Sequence, residues 1–166
     1  MKRFCLTTVI VVFLLFGMNG VQAQTVTTNL DQIKLMEQFI GTWKCKIGEN
    51  ATFIMEAKSF YIGLEFYWKT EDSDKILWEG KSLFGYETIT ERILDFQIVS
   101  NSPDIIIWAG LFTSPNIYEA ILLKEISSPE KTTEKWKYEF QSSDLLVCTY
   151  TVIGKTPQIF PLTREK

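Results

Sequence analysis

The chain has 166 residues, with 17 lysines and arginines against 20 aspartates and glutamates and no histidine, a formal charge of −3. The acidic balance excludes nucleic acid and an anionic membrane surface as partners, since both need a basic patch; an ordinary apolar fraction with 14% aromatics excludes disorder except at the ends. The absence of histidine removes the usual general base, the Ser-His and Cys-His pairs and the commonest zinc ligand, so neither a metal nor another cofactor is expected.

The N-terminus reads as an export signal. Lys2 and Arg3 supply a positive start, Phe4 to Phe16 is an apolar or hydroxyl run, and Val21-Gln22-Ala23 ends on the small residue a signal peptidase needs. An uncleaved anchor is the alternative, but the run is shorter than the roughly 20 residues that span a bilayer. Cleavage after Ala23 predicts a secreted or periplasmic protein with no stable membrane insertion. Cys5 sits at the start of the apolar run rather than after it and is not placed for lipid attachment. The remaining 143 residues carry a formal charge of −5 and suit a single domain.

Residues 24–28 form a short polar leader. From Asn29, read as an N-cap, Leu30, Ile33, Met36, Phe39 and Ile40 recur at helical spacing, predicting one helix of about ten residues that Gly41 ends. The period then becomes two. Trp43, Cys45 and Ile47 alternate with Thr42, Lys44 and Lys46; Phe53, Met55 and Ala57 follow the turn at Gly48-Glu49-Asn50. Ile62, Leu64, Phe66 and Trp68 alternate cleanly with polar partners up to the acidic turn Glu71-Asp72-Ser73-Asp74, read as a solvated hairpin tip. Lys75 to Tyr86 carries Ile76, Trp78, Phe84 and Tyr86 on one face, interrupted by Gly80 and Ser82, the glycine marking a bend, a bulge or a close approach.

After a turn at Glu87 to Glu91, Leu94, Phe96 and Ile98 are read as the inward face of the next strand. Ile105-Ile106-Ile107-Trp108 is apolar on both faces, so its outer side is either covered or an exposed patch. Ile117 to Ile126 forms a strand, and Glu134, Trp136, Tyr138 and Phe140 a further one. Leu146, Cys148, Tyr150 and Val152 face inward from the last. Gly154 ends the sheet, and 155–166, with two prolines and no period, is read as a C-terminal tail that covers one end or hangs free.

About nine strands behind one short helix predict an all-β fold, an antiparallel up-and-down barrel occupying 29–154. Cys45 and Cys148 fall on inward faces of the first and last predicted strands. They form either a disulfide, as export favours, or two buried free thiols. The aromatic set Phe66, Trp68, Trp78, Phe84, Phe96, Trp108, Phe112, Trp136, Tyr138 and Tyr150 either fills the barrel or walls a cavity for a small hydrophobic molecule.

Leu35 to Trp43, with its Gly41-Thr42-Trp43, resembles the Gly-x-Trp opening of the calycins, the superfamily of lipocalins, fatty-acid-binding proteins and their bacterial lipocalin-like relatives. Gly80 to Glu87 is similar to the central Gly-Tyr-Asp strand of the exported proteins grouped as DUF1579, with Glu87 in place of aspartate. The resemblance implies a helix closing one end of the barrel and Trp43 packed beneath the cavity, giving Gly41 and Trp43 structural roles. In lipocalins an arginine near the last strand covers that tryptophan. None lies between Arg92 and Arg164 here, and Lys155 lacks the planar group. Nitrobindin-like haem barrels ligate iron through histidine, which this chain lacks.

Three functions follow as alternatives. The first is non-catalytic binding of a hydrophobic ligand. The second is a filled barrel presenting Ile105 to Trp108 or a sheet edge to a partner protein. The third is an enzyme using Glu134 beside Trp136 as acid or base, against a Glu134 that merely sits at a wet barrel mouth.

Overall fold

The computed structural model describes residues 29–73 and 75–166. The expected signal peptide with Cys5, the leader 24–28 and Asp74 of the acidic turn lie outside them. A short helix α1 (Gln32–Met36) runs into a 3-10 turn at Glu37–Phe39. Ten strands follow: β1 (Gly41–Ile47), β2 (Ala51–Phe60), β3 (Gly63–Asp72), β4 (Lys75–Glu87), β5 (Arg92–Val99), β6 (Ile106–Ser114), β7 (Ile117–Leu122), β8 (Glu134–Ser142), β9 (Leu145–Val152) and β10 (Gln158–Arg164). Each pairs antiparallel with its neighbour in sequence, and β10 closes on β1. The architecture is the up-and-down calycin-like barrel, with ten strands rather than nine.

The tenth strand corrects the reading of 155–166 as a tail. β10 pairs with β9 from Gln158 opposite Tyr150 to Thr163 opposite Leu145. Its ladder to β1 is confined to Arg164 and Thr163, opposite Trp43 and Lys44, so Pro161 stands where that ladder has already ended. Phe160 and Leu162 turn into the barrel, where Leu162 is fully buried.

β10 also supplies the arginine missing from the sequence reading. The Arg164 guanidinium lies 4.3 Å from the centre of the Trp43 ring, a cation–π contact. Its Nη1 donates to the Ile40 carbonyl at 2.7 Å and its Nη2 to the Gln38 carbonyl at 2.9 Å, satisfying carbonyls that the end of the helical segment leaves open. Gly41 makes room for it: with φ at +132°, it adopts a backbone that favours glycine, and a Cβ there would meet Nη1 at 3.3 Å.

The helical segment closes the lower end. Its N-cap is Asp31, whose side chain accepts from the Lys34 amide at 3.0 Å, rather than Asn29. Gln32 exchanges hydrogen bonds with the Phe112 backbone, accepting at 2.7 Å and donating at 3.2 Å, which pins the helix to β6. Phe39 then enters the barrel axis with no exposed surface, its ring 4.9 Å from that of Phe140 and 5.5 Å from that of Tyr138. Trp43 donates its indole N–H to the Phe39 carbonyl at 2.8 Å. Met36, Ile93, Phe112, Tyr118, Leu146 and Leu162 complete a solid lower core.

Cys45 and Cys148 are both buried and free, which corrects the disulfide alternative. Since β10 stands between β1 and β9, their backbones lie about two strand spacings apart, roughly 9 Å. A disulfide reaches only across about 7 Å between Cα atoms. Burial raises both thiol pKa values, that of Cys148 well above the ordinary range.

Candidate functional site

Above Phe39 none of the described segments occupies the axis, and the barrel holds a chamber of about 880 Å³. Phe66, Trp68, Trp78, Phe84, Trp108, Trp136, Tyr138 and Tyr150 line it, joined by Phe53 and Phe160. Their rings brace one another. Trp136 stacks on Tyr150 at 4.7 Å and on Tyr138 at 5.6 Å, and Trp68 meets Trp78 edge-on at 5.5 Å. Gly80 permits the Trp68 indole to lie across β4, because a Cβ at that position would sit 1.8 Å from the ring. Of the bend, bulge or close approach expected at Gly80, the structure shows the close approach.

Two of the expected lining residues stand elsewhere. Phe112 faces inward but lies below the chamber, fully buried between Phe39 at 6.1 Å and Tyr118 at 5.4 Å. Phe96 faces outward and is 45% exposed. The β4–β5 hairpin explains the reversal. Tyr86 pairs with Ile93, Phe84 with Asp95 and Ser82 with Gln97, so the inward face of β4 continues onto Ile93, Asp95, Gln97 and Val99. A one-residue change of register would have turned every one of these side chains over. The loop fixes it: the Glu87 carboxylate accepts from the Ile89 and Thr90 amides at 2.8 and 2.7 Å and from the Thr90 hydroxyl at 2.6 Å.

This register buries a carboxylate that the sequence reading missed. Asp95 is 3% exposed and lines the chamber beside Gln97. The Trp108 indole N–H, which can only donate, makes a hydrogen bond to Gln97 Oε1 at 3.0 Å. The amide is thereby turned so that Gln97 Nε2 donates to Asp95 Oδ2 at 2.5 Å. Asp95 Oδ1, Ser82 Oγ and Tyr118 Oη are buried without a hydrogen-bond partner. Burial pushes the Asp95 carboxyl up to about 7, against the Gln97 amide and the Ser82 hydroxyl, which favour the anion; Ser82 is close, but not in hydrogen-bonding geometry. Burial, and then the Asp95 charge, hold the Tyr118 hydroxyl well above the ordinary phenol range.

The mouth is polar. Glu134 lies there and accepts a hydrogen bond from the Tyr150 hydroxyl, with Asp104, Lys124 and Gln158 around the same opening. Burial, followed by the Glu134 contact, raises the Tyr150 pKa. Outside the barrel, Leu83, Phe96 and Ile107 pair across β4, β5 and β6, forming an apolar stripe that Ile98 and Ile105 extend. Both faces of Ile105 to Trp108 are thus accounted for: Trp108 turns in, and the outer face is partly exposed. Neither a family model nor a curated protein matches the chain.

Proposed function

We propose that this is an exported, calycin-like binding protein that holds a small hydrophobic molecule in its barrel and catalyses no reaction on it. The observation that carries this reading is the aromatic chamber of about 880 Å³, within the roughly 300–1,000 Å³ range of small-molecule sites. Kinship with the calycins is supported by the Gly41-Thr42-Trp43 opening and the Arg164 guanidinium over Trp43, and kinship with DUF1579 by the segment Gly80 to Glu87. Export is supported by the charged, apolar and small-residue sequence of Lys2 to Ala23.

Native mass spectrometry of the purified full-length gene product, followed by denaturation of the same sample, tests the reading. A co-purifying mass released on denaturation is the expected result. A bare monomer that also fails to take up neutral naphthalene derivatives contradicts it. The outer stripe of Leu83, Phe96, Ile98 and Ile107 favours a second reading, a protein-interaction module, and a ligand-free dimer would move the weight there.

A further inference from the structure

The chamber's charge is one-sided. Asp95, Asp104 and Glu134 line it, and the single basic group among the described lining residues is Lys124, exposed at the mouth. Asp95 lies in the wall, no cation among the described residues acts on it, and one of its oxygens is unpaired. A buried carboxylate without a counter-charge is unfavourable, and its pairing with a cation correspondingly strong. A ligand carboxylate would add like charge to this wall. A hydroxyl brings one donor, which satisfies Oδ1 and leaves the charge uncompensated. A primary ammonium brings three donors and no acceptor, together with the missing charge. Asp95 and Ser82, whose Oδ1 and Oγ are unpaired, both line the chamber, from β5 and β4. The indoles of Trp68 and Trp108 offer the aromatic faces that attract cations.

We propose that the ligand of this chamber is an amine on an apolar body, its ammonium held by Asp95 at the unpaired Oδ1 and its body packed among the tryptophans. This rests on the binding reading above and names the ligand class. Gln97 is the positioning residue: held by Trp108, it fixes one carboxylate oxygen and leaves the other for the ligand.

Binding is tied to pH through Asp95, raised to about 7. Its surroundings leave few competing titrations. β4 and β6 present Ser82, Phe84 and Trp108, which do not ionise. Tyr118 from β7, Tyr138 from β8 and Cys148 from β9 are held neutral by burial, and the Arg92 charge acts on Tyr118 from β5 itself. Glu134 stands at the mouth. Amine affinity therefore falls as pH drops through about 7, as Asp95 is protonated.

Isothermal titration calorimetry of the full chain with 2-naphthylmethylamine, 2-naphthylmethanol and 2-naphthoate tests this, because the three differ only in the polar group. At about pH 8.5 the amine binds about 10- to 100-fold more tightly than the alcohol, the worth of a charge-assisted hydrogen bond, and the acid binds weakest. At about pH 5.5 the amine's lead shrinks about tenfold or more, while the alcohol is unchanged. Asp95→Asn removes the lead at both pH values. Should that variant not fold, the wild-type ranking and its pH dependence decide. Equal binding of all three overturns the amine assignment and leaves the container reading standing. Binding of none overturns both.

Discussion

At the lower end of the barrel Phe39, Trp43, Phe112 and Tyr118 are at most 1% exposed; higher up, Trp68, Trp78, Trp136 and Tyr150 remain partly open. Both sets consist of large aromatics, and all but Phe39 come from alternating strands. The difference is axial. The helical segment drives Phe39 into the lower end, where strand side chains close around it, whereas none of the described residues enters from above. Inward alternation therefore produces a wall, and whether the wall surrounds a core or a chamber depends on what occupies the axis.

Truncation on the two sides should separate these roles. Phe39→Ala is expected to lower stability by about 3–5 kcal/mol in urea unfolding, the loss typical of a buried phenylalanine. Trp136→Ala, at a ring that lines the chamber and is only partly buried, is expected to lose about 1–2 kcal/mol and to weaken ligand binding instead. Similar losses at both positions would contradict the division.

The chamber's polar wall makes a second difference, through pH. The folded-state pKa of Asp95, about 7, lies above its ordinary 3.8, so over that interval the native state holds the extra proton. Stability then falls as pH rises from about 4 to about 7, by up to about 4 kcal/mol, and levels off above. Asp95→Asn keeps a neutral group in place and flattens that limb, so above pH 7 the unliganded variant is the more stable protein. A parallel pH profile in the variant would show that Asp95 is not buried as described.

Arg164→Met removes the two hydrogen bonds to Ile40 and Gln38 and the cation over Trp43; a loss of about 2 kcal/mol is expected, with the chamber's binding unchanged. The surface pair Lys44 and Glu165, 2.8 Å apart at the same closure, contributes under about 1 kcal/mol by contrast. The smallest effect is a chemical one. Cys45 and Cys148 should resist iodoacetamide in the folded protein and take one label each once unfolded. Peptide mapping that finds them joined would contradict the interposed β10.

Strands whose two faces differ in polarity were legible in the sequence, as were the helical plug and its glycine. β5 was not, because Leu94, Phe96 and Ile98 make its outer face the more apolar one. Side-chain alternation carries no sign of direction there; the parity of the Glu87 loop decides, and its Glu-x-x-Thr pattern was the available clue. β10 was hidden by Pro157 and Pro161, although Phe160 and Leu162 keep period two. With β10 unread, Arg164 had no strand to stand on and the two cysteines had no partition between them. The aromatic wall was visible, but the empty axis was not, since a void leaves no pattern in a sequence.

The claim that the upper barrel is an open binding chamber is tested most directly by titrating the protein with the neutral dye N-phenyl-1-naphthylamine and reading energy transfer from the wall tryptophans. One saturable equivalent is predicted, weakened by Trp136→Ala inside the barrel and unchanged by Phe96→Glu on its outer face. Non-saturable binding, or binding lost with Phe96→Glu and retained with Trp136→Ala, would place the apolar site on the exterior and contradict the account.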